Sequence, residues 1–97
     1  MYRVIDGNDT GKTRKLLTEC GKDKKGMFVC AHPERVESKC RAYNIPIVKS
    51  IGYLDYNYII THWDLFSQNG YNFYVDELEK FVNYMAPHMV GYTLTNE

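Results

Sequence analysis

The 97-residue chain lacks any apolar run of about 18 residues, so no membrane-spanning helix is expected. It has only three cysteines, an odd number, and no C-x-x-C or H-x-x-x-H pair. That argues against a secreted disulfide framework and against a zinc site built from Cys20, Cys30 and Cys40 with His32, His62 and His88. No apolar segment with a small-residue cleavage site follows Met1, so no secretory leader is expected and the expected setting is a reducing cytoplasm. Net charge is also absent, with 12 Lys and Arg against 12 Asp and Glu. An apolar content of 44% with zero net charge excludes a disordered chain and fits one small globular domain over 1–97.

The second half lacks cations. Residues 1–49 carry a net +5, residues 50–97 a net −5, and Lys80 is the only basic residue after Lys49. A basic first half can attract phosphate, and an acidic second half can supply metal ligands or meet a basic partner. The two halves can equally neutralise each other across one fold.

What is present reads as alternating strands and helices. Tyr2–Asp6 is a strand running into the turn cluster Gly7–Gly11. A helix follows over Lys12–Cys20, with Leu16, Leu17 and Cys20 on one face, and Gly21 stops it. Met27–Cys30 is a strand of the buried type, and Pro33 opens a helix carrying Val36, Cys40 and Tyr43. Pro46–Lys49 is expected as a third strand, and Ser50 as the cap of a short helix through Tyr56. Residues 57–70 show no single period. Asn72–Val75 is a strand, Leu78, Phe81, Val82 and Met85 mark a helix, and His88–Leu94 is expected as a last strand. This order predicts an α/β domain of three layers, with a mainly parallel sheet of four to five strands and helices on both faces.

One segment between a strand and a helix carries chemistry: Asp6-Gly7-Asn8-Asp9-Thr10-Gly11-Lys12-Thr13. Backbone N–H groups of such a turn and of the helix N-terminus converge on an anion. Gly11 admits close approach of the backbone to a phosphate. Lys12 supplies a point charge for the β- and γ-phosphates, the Thr13 hydroxyl can ligate Mg²⁺, and Arg14 stands beside them. The full pattern, G-x-x-x-x-G-K-[ST], is broken at its first position, where Asp6 stands and Gly7 comes one residue late. A second segment, Phe73-Tyr74-Val75-Asp76-Glu77, ends an apolar strand in two carboxylates. There Asp76 can hold Mg²⁺ beside Thr13, and Glu77 can polarise an attacking water as general base. The competing reading of Asp76 and Glu77 is a helix start, where carboxylates suit the positive dipole end.

These two segments, with Phe28-Val29-Cys30 between them and Gly91-Tyr92-Thr93-Leu94 after them, resemble the P-loop NTPase superfamily. More narrowly, the chain is similar to very short P-loop proteins of bacteriophages and mobile elements, which would place it in the host cytoplasm. The resemblance implies a nucleotide site over Gly7, Asn8, Asp9, Thr10, Gly11, Lys12, Thr13 and Arg14. It also implies Mg²⁺ with ATP or GTP held by Thr13 and Asp76, and Glu77 as the catalytic residue of a weak NTPase. Asp6 departs from the family pattern, and no arginine follows Arg41 to act as a late arginine finger. The alternative is an interaction or inhibitor protein on the same fold. It would bind a host defence or nucleic-acid-processing protein through its acidic, aromatic half, without hydrolysis.

Nine tyrosines include Tyr53, Tyr56 and Tyr58, with Trp63 close by. This region is either core filling or a surface for a protein partner or a homodimer. Lys22, Lys24 and Lys25 read as a solvated turn or as contacts to a nucleic-acid backbone. Cys30 with His32 is disfavoured as a nucleophile pair, since nothing nearby orients the imidazole.

Overall fold

The structure is a computed structural model that describes residues 2–4, 11–54 and 56–93, without the side chains of Tyr56 and Asn57. Its elements are α1 (Lys12–Gly21), β1 (Gly26–Cys30), a 3₁₀ turn (Pro33–Arg35), α2 (Val36–Ala42), β2 (Lys49–Gly52), α3 (Tyr56–Gln68), β3 (Asn72–Val75) and α4 (Leu78–Met85). The sheet is parallel, in the order β2-β1-β3.

The central position of β1 explains its sequence. All five of its residues are buried, because it has a neighbour on each edge and helices on each face. Side chains alternate across the strand. Phe28 and Cys30 join Leu17 and Cys20 of α1 and Val36 and Cys40 of α2 in one core. Met27 and Val29 join Ile51, Tyr53 and Ile59 in the other, which Trp63, Phe73 and Phe81 extend. The chain moves outward from β1 to β2 through α2, then back past β1 to β3 through α3. Crossovers of one hand in opposite directions need helices on opposite faces, and α2 and α3 do lie in the two separate cores.

The expected α/β class and parallel sheet are present, with three strands among the described residues rather than four to five. Residues 2–4 and 88–93 form no strand, and the remainder of those two expected strands (5–6 and Leu94) lies outside the described residues. The third strand sits later than expected. Pro46 has no N–H to donate and Ile47 is exposed, so pairing starts at Lys49 opposite Met27. Ser50 therefore pairs with Phe28 in the ladder and does not cap a helix. The unreadable stretch is α3. Its inward residues Ile59, Trp63 and Phe66 follow a helical period, but Tyr58, Ile60 and Leu65 on its outer surface are apolar too and blur the pattern.

Asp23 holds the amino-terminal end of the sheet. Its carboxylate accepts hydrogen bonds from the Lys25 backbone N–H (2.9 Å), the Asn72 amide (2.9 Å) and the Tyr74 hydroxyl (2.8 Å). The turn after α1 is thereby tied to β3, and the same three donors hold the Asp23 carboxyl below its ordinary range. The three cysteines are free and buried. Burial pushes the Cys20 thiol up to about 12 and Cys30 up to about 11, so neither is a nucleophile at neutral pH. His32 is engaged with Glu34 at 3.2 Å.

Candidate functional site

α1 and β3 deliver the two halves of the site. Thr13, Leu17 and Cys20 share one side of α1 at i, i+4 and i+7. Leu17 and Cys20 are buried against the sheet, so Thr13 faces its carboxyl-terminal edge one turn earlier. β3 ends at Val75, and the Asp76 N–H continues the ladder by donating to the Val29 carbonyl at 2.9 Å. Asp76 is thus fixed at the end of the sheet. Its two carboxylate oxygens each lie 3.3 Å from the Thr13 hydroxyl, which donates to them across 63 residues of sequence.

These are long contacts for an O–H donor, whose usual range is about 2.5–3.0 Å. Both groups are hard oxygen ligands, which suits Mg²⁺ bound through one or two protein oxygens, with phosphate and water completing its octahedron. Among the described residues no group of three or more His, Cys, Asp or Glu side chains could hold a metal ion, so the donor set does not suit zinc. Asp76 is half-buried, and that burial raises its carboxyl above the ordinary range. The Thr13 hydrogen bond opposes the rise, Glu77 adds to it, and the positive charges of Lys39 and Lys12 oppose it.

The N-terminus of α1 adds donors. Gly11 occupies the cap position at φ 77°, a left-handed conformation that favours glycine. A Cβ there would meet no atom within 4 Å, so glycine answers the backbone angle rather than a lack of space. Among the described residues no side chain caps the helix, and its first turn holds no acid. Its leading N–H groups and positive dipole end therefore sit beside Thr13 and Asp76, with no acid in the helix's own first turn. Lys12 is the first helical residue. Arg14 points elsewhere, with its guanidinium 5.6 Å from the centre of the Tyr43 ring. Gly7, Asn8, Asp9 and Thr10 lie outside the described residues, as does Asp6.

Glu77 stands next in the chain in an uncommon geometry. Its φ and ψ are 58° and 60°, left-handed for a residue with a Cβ, and it precedes α4 without capping it by its side chain. Its carboxylate lies 3.9 Å from the Lys80 ammonium and is about half exposed, a pair worth little in stability. A left-handed non-glycine residue costs about 1–2 kcal/mol. Glu77→Gly is therefore expected to unfold at the same temperature as the parent or higher, by up to about 1 kcal/mol once the extra freedom of unfolded glycine is counted. Thermal unfolding checks this, and a loss above about 1 kcal/mol would show that Glu77 stabilises the fold.

Sequence reading did not find a second feature at the same edge of the sheet. An open groove of about 890 Å³ lies between α4 and the segments that follow β1 and β2, lined by His32, Tyr53, Leu54, Lys80 and Tyr84 among others. The Tyr84 hydroxyl donates to the Leu54 carbonyl between two of its lining residues. No sequence motif announces it, because its walls come from three separate segments. The aromatic residues picked out by sequence separate by depth. Tyr53 is buried, Trp63 is half-buried and stacked on Phe73 at 3.8 Å, and Tyr58 is exposed. No helix among the described residues is long and apolar enough to cross a membrane. No family model matches the chain, and neither a curated protein nor a solved structure matches it.

Proposed function

We propose that the chain is a small nucleotide-binding protein of P-loop type that takes ATP or GTP with Mg²⁺ and hydrolyses it weakly. The observation that carries this reading is the meeting of the Thr13 hydroxyl with both oxygens of Asp76 at 3.3 Å, beside the N-terminus of α1. In this reading the leading N–H groups of α1 and the Lys12 ammonium bind the phosphates. Thr13 and Asp76 hold the cation, which when bound neutralises phosphate charge. Glu77, on the residue after Asp76, accepts the proton of the attacking water. The raised Asp76 carboxyl supports the role given to it, because a half-buried carboxylate short of partners gains most from a cation.

Calorimetric titration with ATP, GTP and ADP, with and without Mg²⁺, tests the reading. Micromolar binding is expected, weakened by Lys12→Ala at least about tenfold. A charge-assisted contact to phosphate is worth roughly 1.5–3 kcal/mol. Absence of heat with every nucleotide would overturn the reading.

A second reading, an interaction protein without turnover, is favoured by the groove. Leu54 is 45% and Tyr84 39% exposed at its rim, and Val90 beyond α4 is fully exposed. Asp64 and Glu79 are exposed acids on this half of the chain. Their reversal to lysine would abolish partner capture in this reading while leaving nucleotide titrations unchanged.

A further inference from the structure

The amino-terminal edge of the sheet, opposite the candidate site, gathers cations that form no ion pair among the described residues. Lys25 precedes β1, Lys49 opens β2 and Tyr71 precedes β3. The parallel register sets Lys49 opposite Met27, and Asn72, the residue after Tyr71, opposite Gly26. Lys49 reaches across the central strand and donates to the Tyr71 hydroxyl at 2.9 Å. Lys25 donates to the Asn69 carbonyl at 3.3 Å. The two ammonium groups stand 5.1 and 4.9 Å from the centre of the Tyr71 ring, so they lie within about 10 Å of each other. Lys24 and Lys49, with Asp23 between the turn and the sheet, also line a shallow cleft of about 160 Å³ between the turn after α1 and residues 47–49.

The acids here offset only part of this charge. Glu19 pairs with Lys22 at 3.6 Å, and Asp23, whose three hydrogen bonds come from neutral donors, stays anionic and counts as one charge against the three of Lys24, Lys25 and Lys49. Among the described residues Lys24, Lys25 and Lys49 have no carboxylate partner. Lys25 and Lys49 are anchored on neutral oxygens and an aromatic ring, which orders the side chains and leaves their charge intact.

We propose that this edge is a docking surface for the phosphate backbone of a nucleic acid. The cations come from three positions, Lys49 on β2, Lys25 just before β1 and Lys24 in the turn ahead of it. The Lys25 and Lys49 ammonium groups stand up to about 10 Å apart across the Tyr71 ring, and such a spread suits successive phosphates of a polyanion better than a single phosphate. The Tyr71 ring is packed between ammonium groups and the Phe66 ring, its centre 5.6 Å from that of Phe66. It is therefore not free to stack a base, and recognition is of backbone charge rather than sequence. Ile47 is the large apolar side chain exposed beside the cleft. One such side chain is too little to insert into a lipid surface, which sets anionic membranes behind nucleic acid. The surface is separate from the candidate nucleotide site, at the other end of the strands.

Fluorescence anisotropy of a labelled single-stranded oligonucleotide of mixed sequence, titrated at several salt concentrations without nucleotide, tests this. Three phosphate contacts give a slope of log K against log[salt] of about −2. The double variant Lys25→Gln/Lys49→Gln is expected to bring it to roughly −0.7 and to weaken low-salt binding at least tenfold, while Lys24→Gln alone removes about one third of the slope. Tyr71→Phe keeps both charges but releases Lys49, and is expected to fall between parent and double variant. A scrambled oligonucleotide should bind equally. No binding at low salt, a slope that the lysine variants leave unchanged, or lysine-dependent binding to phosphatidylserine vesicles with none to the oligonucleotide would each overturn the proposal. Circular dichroism of each variant shows that the fold is kept. Because no nucleotide is present, a failed ATP titration and a failed oligonucleotide titration are independent results.

Discussion

Asp76→Asn is expected to make the nucleotide-free protein more stable and, in the proposed function, to weaken Mg²⁺-dependent nucleotide binding by roughly 10–100-fold. Both effects have one cause. Asp76 is half-buried, with the Thr13 hydroxyl at 3.3 Å as its side-chain hydrogen-bond partner. Burial therefore penalises its charged form and raises its carboxyl. A raised carboxyl means that the folded state holds a proton the unfolded state has released, over the window from the ordinary Asp value of 3.8 up to the raised one. Stability then falls as pH rises through that window, and the penalty persists at neutral pH. Asparagine removes the charge, keeps an oxygen for Thr13, and loses this slope. Thermal melts without Mg²⁺ across pH 4–7, beside calorimetry with Mg²⁺ and ATP, check both halves. A variant that is less stable at neutral pH would show that the Asp76 carboxylate is held by favourable contacts rather than strained by burial. A more stable variant with unchanged Mg²⁺-ATP affinity would remove Asp76 from the proposed site.

Phe28→Ala is expected to be the most destabilising single truncation in the core. Phe28 is 1% exposed and is the largest of the fully buried side chains. It sits at the middle of the central strand and faces α1 and α2 through Leu17, Cys20, Val36 and Cys40. Removing a buried phenyl ring costs about 3–5 kcal/mol, because the cavity adds to the lost transfer energy. A domain of this size is worth roughly 5–15 kcal/mol in total. The variant should therefore lose a fifth or more of its stability, and its Tm should fall by about 12–40 °C at roughly 4–8 °C per kcal/mol. Phe73→Ala offers a comparison on the other face. Phe73 is half-buried against Trp63, so its loss should cost less. Urea unfolding of the two variants ranks them, and equal losses would contradict the central role given to β1.

Some elements were legible because short-range pattern and long-range packing agree there. α1, β1, β3 and α4 stand within a residue or two of their expected places. Each has one apolar face or a short buried run, and each is bounded by glycine, proline or acidic residues. The meeting of the Gly11-Lys12-Thr13 helix start with the Asp76 strand end was also readable as a juxtaposition, because a helix that runs antiparallel to the strands starts at the carboxyl edge of a parallel sheet, where β3 ends in its carboxylates. α3 was illegible because Tyr58, Ile60 and Leu65 put apolar residues on its solvent side. β2 was misplaced because Pro46-Ile47-Val48 looks like a strand by composition, yet register with β1 begins only at Lys49.

Composition and motif order by themselves determined an α/β domain with a parallel sheet and nominated Lys12, Thr13, Asp76 and Glu77. Only the tertiary structure decided which nominated groups meet. Thr13 touches Asp76, Arg14 turns to Tyr43, and Glu77 takes a left-handed backbone beside Lys80. It also decided that Tyr53 is core and that Lys25 and Lys49 converge on Tyr71. The physical reason is distance along the chain. Local propensity acts over a few residues, whereas contacts between residues 22, 46 or 63 positions apart exist only once strand order and register are set.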